Sequence, residues 1–217
     1  MRVLRRLLML AALLLPVVLP LPPAGHAVAS TESPGAGARY QIDPKHTSIA
    51  FYVDHLGFAR TLGVFRGIEG EILFHAQDWT QSQVEAVVAI ETLSLGDAAF
   101  ERTMLGRRWF DAESHPQASF QSLRLQRIDA QQARLEGLLR LRGVERQVTL
   151  DLRFNKLGTH PLTLRRTLGF SATTTLRRAD FGLDAYADQI GAEVEVRIEI
   201  EATLPPPRRS GKPGSAP

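Results

Sequence analysis

Residues 192–204 alternate without error: Ala192, Val194, Val196, Ile198, Ile200, Ala202 and Leu204 fall on one face, and Glu193, Glu195, Arg197, Glu199, Glu201 and Thr203 on the other. Successive side chains of an extended strand point to opposite sides, so this period of two specifies a strand with one dry and one wet face. The pattern recurs in Ile49, Phe51, Val53; in Ile68, Gly70, Ile72, Phe74; in Val84, Ala86, Val88, Ile90; and in Ala133, Leu135, Gly137, Leu139, Leu141. It returns in Val148, Leu150, Leu152, Phe154 and in Leu168, Phe170, Ala172, Thr174, Leu176. About eight such runs, joined by turn signals such as Arg142-Gly143, predict antiparallel hairpins in an all-β chain. The one helical interruption is residues 97–105, where Phe100 and Met104 stand four apart behind a capping Asp97 and ahead of Gly106.

A sheet with one apolar face must cover that face, and no set of amphipathic helices is available to do so. Closure on itself is the remaining solution, as an eight-stranded antiparallel barrel with one short helix, or as the competing sandwich. Long strands at 168–177 and 192–204 favour the barrel. The inward positions mix large groups with small ones, among them Gly70, Ala86, Ala133, Gly137, Ala172 and Ala192. That mixture leaves space along the axis unless it merely fits a taper. The candidate bore is Phe51, Val53, Phe65, Ile72, Val88, Phe110, Phe120, Leu139, Leu150, Phe170 and Phe181.

Chemistry is sparse. Cysteine is absent, which removes disulfides, thiolate metal sites and thiol nucleophiles together, and there is no Gly-x-Ser-x-Gly elbow. No catalytic residue is assigned. His46, His55, His75, His115 and His160 are dispersed, without an i, i+4 pair, so no metal site is expected. The glycines around residues 63–67 match no phosphate-binding pattern and read as strand bends. Residues 40–204 carry a net charge of −3, which argues against a nucleic-acid partner. Five polar residues are candidates for the mouth of a barrel: His46, His55, Arg107, Arg178 and Asp180. Each has a plainer reading. The histidines cap turns at the two ends of one strand, Arg107-Arg108 cover apolar surface with their stems, and Arg178 pairs with Asp180 to pin a turn.

The ends differ in composition. Arg2, Arg5 and Arg6 precede an apolar run at 7–21, followed by small-x-small sites ending at Ala27 and Ala29. Residues 1–29 therefore read as a cleaved secretory signal peptide; the run is short for a bilayer span and broken by Pro16 and Pro20, so no permanent membrane anchor is expected. Residues 30–39 read as a flexible linker and 205–217 as a disordered proline-rich tail. One domain remains, 40–204.

Four blocks of that domain resemble a known family. They are Tyr40-x-Ile42-Asp43-x-x-His46-Thr47-x-Ile49-x-Phe51-x-Val53-x-His55-Leu56-Gly57; Trp109-Phe110-Asp111 with Pro116 and Phe120; Gly137-x-Leu139-x-Leu141-x-Gly143-Val144; and Arg178-x-Asp180-Phe181-Gly182. In order and spacing they are similar to the YceI-like family of periplasmic lipid-binding proteins. The resemblance implies a lipocalin-like barrel in the periplasm whose bore takes up a polyisoprenoid or related amphiphilic lipid, an isoprenoid quinone included, for transport or storage. It further implies no other cofactor, pairing as a homodimer and a link to stress responses. Many relatives carry His-Leu after the short helix, where this chain has Met104-Leu105 and then Gly106-Arg107-Arg108. The alternatives are an enzyme of isoprenoid or lipid metabolism, and a stress-related scaffold that binds a protein through the acidic face of 193–201.

Overall fold

The computed structural model describes residues 37–206; the leader, most of the linker and most of the tail lie outside the described residues. Ten strands form one antiparallel sheet: β1 (Ala38–Ile42), β2 (Ser48–His55), β3 (Ala59–Phe65), β4 (Glu69–Phe74), β5 (Gln83–Ala89), β6 (Gln117–Arg127), β7 (Gln132–Leu141), β8 (Val144–Thr159), β9 (Arg166–Arg177) and β10 (Ile190–Thr203). One α-helix is present among the described residues, α1 (Ala98–Leu105), between β5 and β6. Asp97 caps it by accepting from the Phe100 amide, as the sequence predicts.

Ten strands make eight staves because two staves are bent. β1 and β2 run in the same direction along β10, with Ile42 opposite Ala202 and Ser48 opposite Glu199. The break between them is a turn whose Asp43 carboxylate accepts from the Lys45 amide. On the other side β1 pairs with β4 and β2 with β3, so β3 and β4 are likewise one stave, bent at Gly67 with φ +68°. Staves then follow one another in chain order, and pairing of β1 and β2 with β10 closes the ring. This is a closed, eight-stranded, antiparallel, lipocalin-like barrel.

Closure leaves β10 with a partner on both sides, so its glutamate face is the outside of a paired stave and not a guarded edge. One detail departs from the alternation. The register shifts between Ile190 and Val194, and this bulge turns Ala192 outward, whereas Val194, Val196, Ile198 and Ile200 face in.

The two ends of the barrel are built differently. At one end Phe74, Trp79, Phe154 and Phe170 pack ring against ring at centroid distances of 5.5 to 6.3 Å. Trp79 is 4% exposed and carries the Arg127 guanidinium 4.4 Å from its ring centroid. At the other end lie the β2–β3 turn, α1, the β7–β8 turn and the 178–189 loop.

Candidate functional site

Between those ends lies a cavity of about 510 Å³. All eleven residues of the sequence-derived bore are on its wall. Every core stave contributes, because the inward half of each period-two run points to the same axis. Polar groups on the wall are few: Thr47, Thr61, Ser82, Ser119 and Thr174 along the staves, with His55, Arg178, Tyr186 and Gln189 toward the open end.

Two glycines keep the lumen wide. A Cβ at Gly63 would stand 2.1 Å from the Phe51 ring, and one at Gly137 would stand 2.2 Å from the Phe120 ring. Each phenyl group therefore lies flat on a neighbouring strand, where a larger neighbour would tip it across the axis. Gly70 acts otherwise. With φ +146° it admits the β5 backbone, since a Cβ there would meet the Glu85 carbonyl oxygen at 2.0 Å.

The open end is framed by His55 and Leu56 of the β2–β3 turn, Phe100 and Met104 of α1, and Tyr186 and Gln189 of the 178–189 loop. Val64 of β3 makes an isolated bridge to Ser94; the rest of that strand has a ladder only to β2. Periodicity could not find Tyr186 or Gln189, which sit in an irregular loop. Phe100 and Met104 were legible as one helical face but not as wall.

The polar mouth candidates separate. His55 lines the cavity at the open end, while His46 lies in the bend between β1 and β2, beside Glu201, and does not reach the mouth. Arg178 does not pair with Asp180, which is exposed and off the wall. Its side chain is 5% exposed and donates to five backbone carbonyls, those of Leu183, Ala185, Tyr186, Ile190 and Gly191. The five donors of one guanidinium thereby organise the loop beside the mouth. Arg142 acts similarly, donating to the Gly182 and Arg107 carbonyls.

Arg107 and Arg108 line a second hollow of about 380 Å³ that shares Phe100, Met104, Trp109 and Tyr186 with the main cavity. Arg108 stacks 4.4 Å from the Tyr186 ring centroid, and Tyr186 lies against Trp109. An apolar lumen that meets a basic, aromatic rim can hold a molecule with an oily body and a polar end.

The YceI-like domain family matches residues 40–202, from within β1 to within β10. The chain belongs to that family. A UPF0312 protein of Vibrio parahaemolyticus is 31% identical over 180 residues, covering 81% of this chain and 94% of its own length. Another, of Photorhabdus laumondii, is 27% identical over 171 residues, covering 78% and 88%. Among solved structures, Burkholderia cenocepacia BcnA superposes with a TM-score of 0.68 at 20% identity, covering 75% of this chain and 99% of its own. A polyisoprenoid binding domain from Saccharophagus degradans, implicated in plant cell wall breakdown, superposes at 0.57 and 15% identity, covering 76% and 98%. These two likenesses show that the YceI-like barrel is shared.

Proposed function

We propose that this YceI-like chain is a noncatalytic binding protein for a polyisoprenoid or related amphiphilic lipid, with the tail in the barrel and the head group at the basic rim. The single observation that carries the reading is the apolar cavity, walled by every stave and floored by aromatic rings. At about 30 Å³ per methylene-sized group, roughly the share of one water molecule, 510 Å³ accommodates on the order of seventeen carbons, or three isoprene units. Each unit removed from water is worth up to about 4 kcal/mol gross. Three units exceed the several kcal/mol that association costs and leave enough for micromolar binding, near −8 kcal/mol. The polyisoprenoid-binding description of the Saccharophagus degradans domain supports the same ligand class.

The leader-like residues 1–29 support a periplasmic location, in which the protein transports or stores its lipid. Cell fractionation with an antibody to the barrel tests that part. Native mass spectrometry and lipid extraction of gently purified protein test the binding. The expected result is an isoprenoid or similar amphiphile that is lost in Leu139→Trp, a substitution that fills the lumen while the circular dichroism of the barrel is retained. A Leu139→Trp protein carrying the same adduct in the same amount overturns the proposal.

A further inference from the structure

Away from the lipid cavity, at the aromatic-floored end, the fold collects three metal-ligating side chains that are far apart in sequence. Asp43 and His46 sit on the turn between β1 and β2, and Glu201 on the outer face of β10; their donor atoms all lie within 4.8 Å of one another. We propose that Asp43, His46 and Glu201 form a binding site for a first-row divalent transition metal, with Zn²⁺ as the probe. The expectation of no metal site rested on dispersed histidines, but barrel closure brings residue 43 against residue 201.

The donors are held in place. The Asp43 amide donates to the Glu201 carbonyl at 2.8 Å, and the Thr47 hydroxyl both donates to that carbonyl and accepts from the Glu201 amide, each at 3.2 Å. Thr47 is 1% exposed, so the clamp is sealed from water. Lys45 N–H occupies one Asp43 oxygen and leaves the other 2.9 Å from His46 Nδ1. Ligand atoms around Zn²⁺ at bond lengths of about 2.0–2.1 Å stand roughly 3.4 Å apart. Small side-chain rotations therefore bring the three onto one ion, with water completing the shell. Zn²⁺ takes the place of the hydrogen between His46 Nδ1 and the Asp43 carboxylate; a neutral His46 then carries its one ring proton on Nε2, and a protonated His46 keeps that on Nε2 and releases the other to solvent.

His160 is an outer partner. Its Nδ1 accepts from the Leu162 and Thr163 amides, both at 3.2 Å, which leaves the ring proton on Nε2, 4.0 Å from Glu201 Oε1. At that distance the ring stands beside the Glu201 carboxylate, close enough for one water molecule to link the two. One imidazole and two carboxylates favour Zn²⁺ over Mg²⁺.

Isothermal titration of the chelator-stripped, tag-free protein with zinc chloride tests the site. The expected result is one Zn²⁺ per chain, undisturbed by a hundredfold excess of Mg²⁺. Affinity should fall at least tenfold in His46→Ala and in Glu201→Gln and stay unchanged in His115→Ala at the other end of the barrel. His46 is exposed, so its variant folds even if the Glu201 variant does not. Absence of saturable binding, or binding that His46→Ala leaves intact, overturns the proposal and marks any uptake as adventitious.

Discussion

The two ends of this barrel solve one problem with opposite chemistry. At the floor, Trp79 and three phenylalanines exclude water by burying aromatic surface. At the mouth, two arginines satisfy the carbonyls of loops that have no ladder of their own. Apolar burial is non-directional and fills space, so it suits a stopper. Guanidinium bonds fix geometry without occupying the lumen, so they suit an entrance. Stability is thus concentrated at one end and access at the other.

Substitutions can break that division, and the floor should respond most. Trp79→Ala removes the central ring of the stopper and is expected to cost about 3–5 kcal/mol, read as a lowered denaturation midpoint. A loss near zero would show that the floor is not what holds the staves together. Arg178→Met comes next, because it leaves several carbonyls without donors, at about 1–3 kcal/mol. Faster proteolysis within residues 178–189 should accompany it while the strands keep their hydrogen-exchange protection; uniform loss of protection would mean that Arg178 supports the whole barrel.

Smaller effects sharpen the contrast. Gly63→Ala must displace the Phe51 ring, whose nearest carbon would be 2.1 Å from the new methyl group. The ring tips into the lumen, so lipid retention should fall severalfold while stability changes by only about 1 kcal/mol. Equal retention would show that the ring has another way out. The smallest effect belongs to the Asp43–His46 pair in metal-free protein. Burial pushes the Asp43 carboxyl up, but hydrogen bonds from His46 and the Lys45 amide outweigh it and hold it below the ordinary carboxylate value. The hydrogen bond to Asp43, with its charge, raises His46 above its usual value. Stabilisation by the lowered Asp43 is present above its unfolded pKa and lost as pH falls through the lower folded one. That by the raised His46 is present below its unfolded pKa and lost as pH rises through the higher folded one. The pair therefore contributes between about pH 4 and somewhat above pH 6.5. A His46→Ala variant should lose a little Tm inside that window and match the parent outside it.

The barrel was legible because side-chain alternation encodes which face of a strand is dry, and closure brings the dry faces together. Phe51, Leu139 and Phe170 needed no further information to be placed on the wall. Ala192 was misplaced because a bulge consumes a residue without altering the apolar pattern. Arg178 was given the wrong partner since a neighbouring Asp180 suggests a carboxylate, whereas main-chain carbonyls leave no mark in a sequence. His46 and Glu201 are 155 positions apart, and only the register of β10 against the first stave unites them. Tyr186, with φ +53° in an irregular loop, carried no periodic signal at all.

On the mouth side of its bridge to Ser94, β3 has a ladder on one side only, that to β2. The wall is thus seamed lengthwise near the entrance. A long flexible guest can be laid in through the seam from the flank, with no need to thread tip first. Its uptake rate should then depend weakly on how many carbons it has, and whatever exceeds the interior can trail outside.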